Sequence, residues 1–86
     1  MKVYVPGLLT SYTQGQNSVQ ANGATLGDVL ADLDARYPGI RFRIVDEQDR
    51  VRRHIRIFVN DIQAYAMSVL VKPGDEIMIV GALSGG

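Results

Sequence analysis

One stretch of the chain carries the periodicity of a long helix, and its isolation decides much of what the rest can become. Leu26, Val29, Leu30, Leu33 and Tyr37 recur at three- and four-residue steps and form a single apolar stripe. Thr25 stands before it as an N-cap, and Asp28 follows three residues on, a capping box with Asp in place of the usual Glu. Arg36 falls in the last turn, where a cation suits the helix dipole, and Pro38-Gly39 stops the helix. Asp28, Asp32 and Asp34 lie off the stripe, spaced as ordinary solvent-facing residues. The stripe is read as core and not as a binding groove. A single apolar helix face needs a single sheet to cover it, which predicts an α+β two-layer domain with a mixed sheet.

The flanking segments supply that sheet. Lys2 to Pro6 alternates, with Val3 and Val5 on one face, and ends at Pro6-Gly7. Residues 10–17 are polar and read as loop. Ser18 to Asn22 alternates again and ends at the turn dipeptide Asn22-Gly23. Ile55, Ile57 and Val59 alternate with Arg56, Phe58 and Asn60, a clear strand. Ile40–Val45 reads as a short irregular or 3₁₀ segment, Asp46–Arg53 as charged loop, and Ile62–Val71 as a short edge strand with an irregular stretch. After the turn Lys72-Pro73-Gly74-Asp75, the last strand is Glu76–Val80, with Ile77 and Ile79 facing in. The first and last strands have the cleanest β-branched pattern and are placed in the middle of the sheet. The division is a domain over 1–80 and a flexible tail over 81–86.

Composition closes several routes. At 86 residues there is room for one domain with a modest core, and 47% hydrophobic content with no Trp makes that core aliphatic. The absence of cysteine excludes disulfides, thiolate metal sites and a cysteine nucleophile. His54 is the lone histidine and reads as a surface residue. No metal set, base–nucleophile pair or phosphate-cradling glycine motif is present, so no catalytic site and no bound cofactor are expected. The apolar runs are far short of the ~20 residues of a membrane span, and Met1–Pro6 has no signal-peptide pattern. The expectation is a cytoplasmic protein with no membrane partner.

Nine basic and nine acidic residues cancel. Arg41, Arg43, Arg50, Arg52, Arg53 and Arg56 crowd one region, diluted by Asp46, Glu47 and Asp49. Only Phe42 and Phe58 lie nearby as stacking residues, so no nucleic-acid partner is expected. A solvated charged loop is the favoured reading, and a docking surface for an acidic partner protein is the alternative.

Beyond the last strand runs Gly81-Ala82-Leu83-Ser84-Gly85-Gly86, small and uncharged. Fully extended, such a segment reaches roughly 20 Å. Glycine lacks Cβ, so a Gly-Gly end can thread a channel too narrow for side chains and bring backbone close to a reagent. The plain alternative is a frayed terminus. On the sheet, alternation puts Phe58, Met78 and Val80 on the face opposite Ile57, Ile77 and Ile79. With Leu83 on the tail, they would form a partner-binding patch, unless the 62–71 segment packs over them.

These pieces together resemble the ubiquitin-like sulfur-carrier family. The helix start Thr25-Leu26-Gly27-Asp28-Val29-Leu30 carries the resemblance. So do the strand Ile57-Phe58-Val59-Asn60-Asp61, the turn Lys72-Pro73-Gly74-Asp75-Glu76-Ile77 and the terminal Gly85-Gly86. It covers essentially the whole chain and implies the β-grasp fold. The group includes the molybdopterin-synthase small subunit, the thiamine-thiazole sulfur carrier and a carrier feeding a cysteine synthase. Gly15-Gln16-Asn17-Ser18-Val19-Gln20-Ala21, Thr25-Leu26-Gly27, Tyr37 and Gly39-Ile40 are most similar to the cysteine-biosynthesis carrier; thio-siderophore carriers are close to it.

The resemblance implies that Gly86 is the working residue, with Gly85, Ser84 and Leu83 as its tail. An E1-like enzyme would use ATP to adenylate the Gly86 carboxylate. A sulfur donor would then displace AMP to leave a thiocarboxylate. A sulfur-accepting biosynthetic enzyme, such as a pyridoxal-phosphate cysteine synthase, would receive the sulfur. The alternatives within the class are the molybdopterin-synthase small subunit and a thio-siderophore carrier. A ubiquitin-like protein modifier is the alternative of a different class.

Overall fold

The helix forms where its stripe demands it. The computed structural model describes residues 1–81, and in it α1 spans Leu26–Arg36. Leu26, Val29, Leu30 and Leu33 are buried, and Tyr37 packs half-buried against the same core. The Asp28 N–H donates to Thr25 Oγ1 at 3.1 Å, the expected N-cap. Two further orphan donors, the N–H groups of Leu26 and Gly27, reach the carbonyls of Val69 and Met67 at 2.8 and 2.9 Å. The segment after the fourth strand therefore caps α1.

The off-stripe aspartates do more than face solvent. Asp32 Oδ2 accepts from the Asn22 N–H at 2.8 Å and from Arg36 Nε at 3.0 Å. Asp34 Oδ1 accepts from the N–H groups of Gly39 and Arg41 at 3.1 and 3.0 Å. Asp34 thus caps a second short helix, α2 (Ile40–Ile44), which buries Ile40 and Ile44.

Five strands form one mixed sheet: β1 (Lys2–Tyr4), β2 (Ser18–Gln20), β3 (Ile55–Val59), β4 (Ile62–Ala64) and β5 (Glu76–Gly81). Their order is β2-β1-β5-β3-β4, with β1 and β5 parallel and the other pairs antiparallel. This is the ubiquitin-like β-grasp. Val3, Val19, Ile55, Ile57, Val59, Ile77 and Ile79 all turn to the helix side and are buried. Each such aliphatic side chain is worth ~1.5–3 kcal/mol on burial, so the alternation fixes which face the helices cover. Asn60 and Asp61 both take positive φ, 49° and 73°, which makes the β3–β4 turn a tight hairpin of the I′ kind.

Two expectations need correction. Residues 10–17 are not simply loop, because Gly7–Thr13 forms a 3₁₀ helix. It is held by local hydroxyl bonds, Thr10 to the Gly7 carbonyl at 2.8 Å and Thr13 to the Gln16 carbonyl at 2.7 Å, and pinned by buried Leu9. Ile40–Ile44 is α-helical, because Asp34 supplies its missing cap. The first and last strands lie side by side inside the sheet as expected, with β5 at its centre and β3 as the third inner strand.

Candidate functional site

The open face of the sheet is built by strand pairing. Phe58 and Met78 are direct partners across β3 and β5, and Arg56 pairs with Val80 one step along. Phe58 and Val80 are half-buried, and Met78 is 42% exposed although it sits on the central strand. The parallel β1–β5 pairing adds Tyr4 beside Met78. A row Tyr4–Met78–Phe58 therefore crosses three strands, ended by Ser18 on β2 and Gln63 on β4. Tyr4, Phe58 and Met78 also line a depression of about 260 Å³, with Asn60, Gly74 and Glu76 at its rim.

The 62–71 segment does not pack over this row. After β4 it turns to the helix side, where the Val71 N–H reaches the Ala24 carbonyl at 3.0 Å and Leu70 bridges to Thr25. In doing so it opens a larger apolar groove of about 780 Å³ at the β4 edge. Val59, Ile62, Ala64, Val69 and Leu70 line it, and Leu70 is 79% exposed. Sequence reading missed this groove and also missed Tyr4. Local alternation cannot report which strand lies beside β5, and the edge segment has no period to read.

β5 runs one residue past the expected boundary. Gly81 pairs with Ile55 at the start of β3 and is the last described residue. A Cβ at Gly81 would fall 2.1 Å from Leu8 Cδ2, so the bare backbone is what lets Leu8 lie against the strand end. The predicted site residue Gly86 and the tail residues Gly85, Ser84 and Leu83 lie outside the described residues. The structure brings together Phe58, Met78 and Val80, and puts Val80 next to the root of the tail.

The turn network at the other end of the sheet holds β5 in register. Asn60 Nδ2 donates to Asp75 Oδ1 at 2.8 Å, and the Lys72 N–H donates to Asp75 Oδ2 at 2.9 Å. The Glu76 N–H donates to Asn60 Oδ1 at 2.9 Å. These bonds, led by the Asn60 amide, hold the Asp75 carboxyl below its usual value against the opposing effect of burial. Among the described residues no cluster of His, Cys, Asp or Glu could hold a metal ion, and no helix is long and apolar enough to cross a membrane.

The fold and the sequence have recognisable relatives. The ThiS family model matches residues 3–86. The sulfur carrier protein CysO of Mycobacterium tuberculosis is 37% identical over 89 residues, covering 98% of this chain and 96% of that protein. The crystal structure of the BexX/CysO complex from Amycolatopsis orientalis contains a chain that superposes with a TM-score of 0.90 at 35% identity, over 99% of this chain and 98% of that one. SAMP1 from Haloferax volcanii superposes with a TM-score of 0.82 at 26% identity, over 100% of this chain and 98% of that one.

Proposed function

The chain belongs to the ThiS family of ubiquitin-like proteins, and on that premise we propose that it carries sulfur as a C-terminal thiocarboxylate on Gly86. The observation that carries the reading is that the family match runs through Gly85-Gly86, beyond the last described strand residue. The chain is a carrier that other enzymes act on, not an enzyme itself.

The chemistry needs no group from the folded domain. A carboxylate is a poor electrophile until one oxygen becomes part of a leaving group. Attack of the Gly86 carboxylate on the α-phosphorus of ATP in an E1-like enzyme releases pyrophosphate and leaves an acyl-adenylate. Sulfide-level sulfur, delivered as hydrosulfide, then attacks the acyl carbon, displaces AMP and, on losing its proton, leaves the thiocarboxylate. The domain supplies grip: a partner holding Tyr4, Phe58, Met78 and Val80 fixes the root of the tail. The Gly-Gly end then searches a small volume around the partner's active site. Likeness to CysO supports cysteine or a related sulfur metabolite as the destination, with a biosynthetic enzyme as acceptor and the cytoplasm as setting.

Deleting Gly86 tests this. The fold should be unchanged, and adenylation by the cognate activating enzyme should be lost. Normal activation of the truncated chain would end the carrier reading. The likeness to SAMP1 keeps a protein-modifier reading in play. That reading requires Gly86 in isopeptide linkage to lysines of other proteins, which proteomic digestion of cell extracts would reveal as lysines branched with this chain's C-terminal peptide, since no Lys or Arg lies between Lys72 and Gly86.

A further inference from the structure

The arginine-rich region sorts into two groups. Arg36, Arg41 and Arg50 each have a carboxylate partner, Asp32, Asp49 and Asp46 respectively. Arg43, Arg52, Arg53 and Arg56 have none within 4.0 Å among the described residues, and Arg56 donates Nη1 to the carbonyls of Arg53 and Ile55. Two of this second group are also held against aromatic rings. Arg43 Nε donates to the Tyr12 hydroxyl at 2.7 Å, with its guanidinium 5.9 Å from the Tyr12 ring centre. Arg52 Nε donates to the Phe42 carbonyl at 2.6 Å, with its guanidinium 4.5 Å from the Phe42 ring centre. Each spends its Nε on this support, and the terminal nitrogens have no acceptor among the described residues. A guanidinium fixed in this way has already lost much of the freedom that binding would otherwise cost, and its fork matches a carboxylate.

The two guanidiniums also occupy a meaningful place. Phe42, Arg43, Arg52 and His54 line one depression. Leu8, Tyr12, Arg43 and His54 line a second. Leu8 in turn lies against Gly81, where the tail begins. Arg56, exposed on the neighbouring strand, pairs with Val80. The basic surface therefore borders the root of the tail and adjoins the upper end of the open-face row.

We propose that Arg43 and Arg52, each supported by an aromatic ring, form an electrostatic docking surface for carboxylates on the activating enzyme, beside the root of the tail at Gly81. The identity of that partner rests on the carrier reading. A protein surface fits better than a nucleic acid. Tyr12 and Phe42 each give a ring face to a guanidinium, and Asp46, Glu47 and Asp49 interrupt any basic track a phosphate backbone could follow. Arg43 is exposed and Arg52 half-buried; surface charges of this kind act chiefly on encounter, so their signature is a salt-dependent association rate.

The test is stopped-flow association of the full chain with the purified cognate activating enzyme across a salt series. The variants are Arg43→Gln/Arg52→Gln, Arg43→Lys/Arg52→Lys and a Gly86 deletion, each checked by a melting curve. The Gln pair should associate roughly 10-fold more slowly than wild type at low salt and converge with it at high salt. The Lys pair keeps the charge but not the fork and should fall between them. Equal rates and equal salt slopes in wild type and both pairs would overturn the proposal. So would tighter binding to a short single-stranded oligonucleotide than to the enzyme, lost in the Gln pair. The Gly86 deletion separates this from the carrier reading, because it should keep salt-dependent association while losing adenylation. If it is adenylated normally, the carrier reading fails whatever the arginines do.

Discussion

Met78 on the central strand stands directly across from Phe58 on its antiparallel neighbour, and both point away from the helices. The helices cover only one face of the sheet, so even the central strand meets solvent on the other, and Met78 is 42% exposed. Met78→Glu should therefore change stability by no more than ~0.5 kcal/mol. The same change should weaken binding to the activating enzyme by roughly 10-fold or more, because it puts an unpaired charge into an apolar interface. Phe58→Glu should behave likewise with a somewhat larger stability loss, since Phe58 is half-buried. Binding titrations paired with melting curves check this; unchanged affinity in both variants would remove the patch from the mechanism.

The Asn60–Asp75 clamp makes stability depend on acid. Asp75, Asp46 and Asp32 are all held below the usual carboxylate value of 3.8. The leading causes are the Asn60 amide, the Arg50 N–H and the Asn22 N–H respectively. A group whose pKa is lower in the folded state stabilises fully above its unfolded value, about 4, and loses that contribution as pH falls through the folded value. Urea midpoints should be flat near neutrality and fall below about pH 4. Asp75→Asn should lower the midpoint at neutral pH and make the acid loss shallower. An acid limb as steep as wild type would show that Asp75 contributes nothing to it.

Leu30, Leu33, Ile57 and Ile79 form the facing sides of the helix–sheet core and are 0–2% exposed. Replacing any of them with Ala should cost ~2–5 kcal/mol, a large part of the ~5–15 kcal/mol of a typical domain. Equilibrium urea denaturation measures this directly. Losses below ~1 kcal/mol at two of these positions would contradict the packing.

Gly23 is required by close approach, not by a left-handed backbone. A Cβ there would sit 2.6 Å from the Val29 backbone nitrogen and 2.8 Å from the Asp28 carbonyl carbon, with no flexible neighbour to yield. Gly23→Ala should destabilise by ~1–3 kcal/mol. At Gly81 the obstacle is the end of the Leu8 side chain, which is largely exposed and able to swing aside. Gly81→Ala should therefore cost clearly less in the same melting assay.

Where a residue's surroundings are set by its own element, they were legible in the sequence. The α1 stripe, the Thr25 cap and the burial of Ile57 and Ile77 opposite Phe58 and Met78 follow from periods of 3.6 and 2. What stayed hidden depends on partners distant in the chain. Tyr4 joins the open-face row only because β1 lies parallel beside β5. α2 exists because Asp34 reaches across Pro38-Gly39 to cap it. The 3₁₀ turn at Gly7–Thr13 rests on hydroxyl bonds that leave no periodic trace. The β4-edge groove arises because the 65–71 segment spends its carbonyls on the N-terminus of α1. Gly86, Gly85, Ser84 and Leu83 were singled out from composition and family likeness, and they lie outside the described residues.

The central claim is that the Gly86 carboxylate becomes a thiocarboxylate, and the mass of the intact protein isolated from its native host tests it most directly. Replacing one oxygen by sulfur adds about 16 Da at the C-terminus. The account predicts a species heavier by that amount, with fragmentation placing the increment on Gly86, and its disappearance when the activating enzyme is deleted. A chain recovered only at its unmodified mass from sulfur-replete cells with the activating enzyme present, or an increment placed anywhere but Gly86, would contradict it.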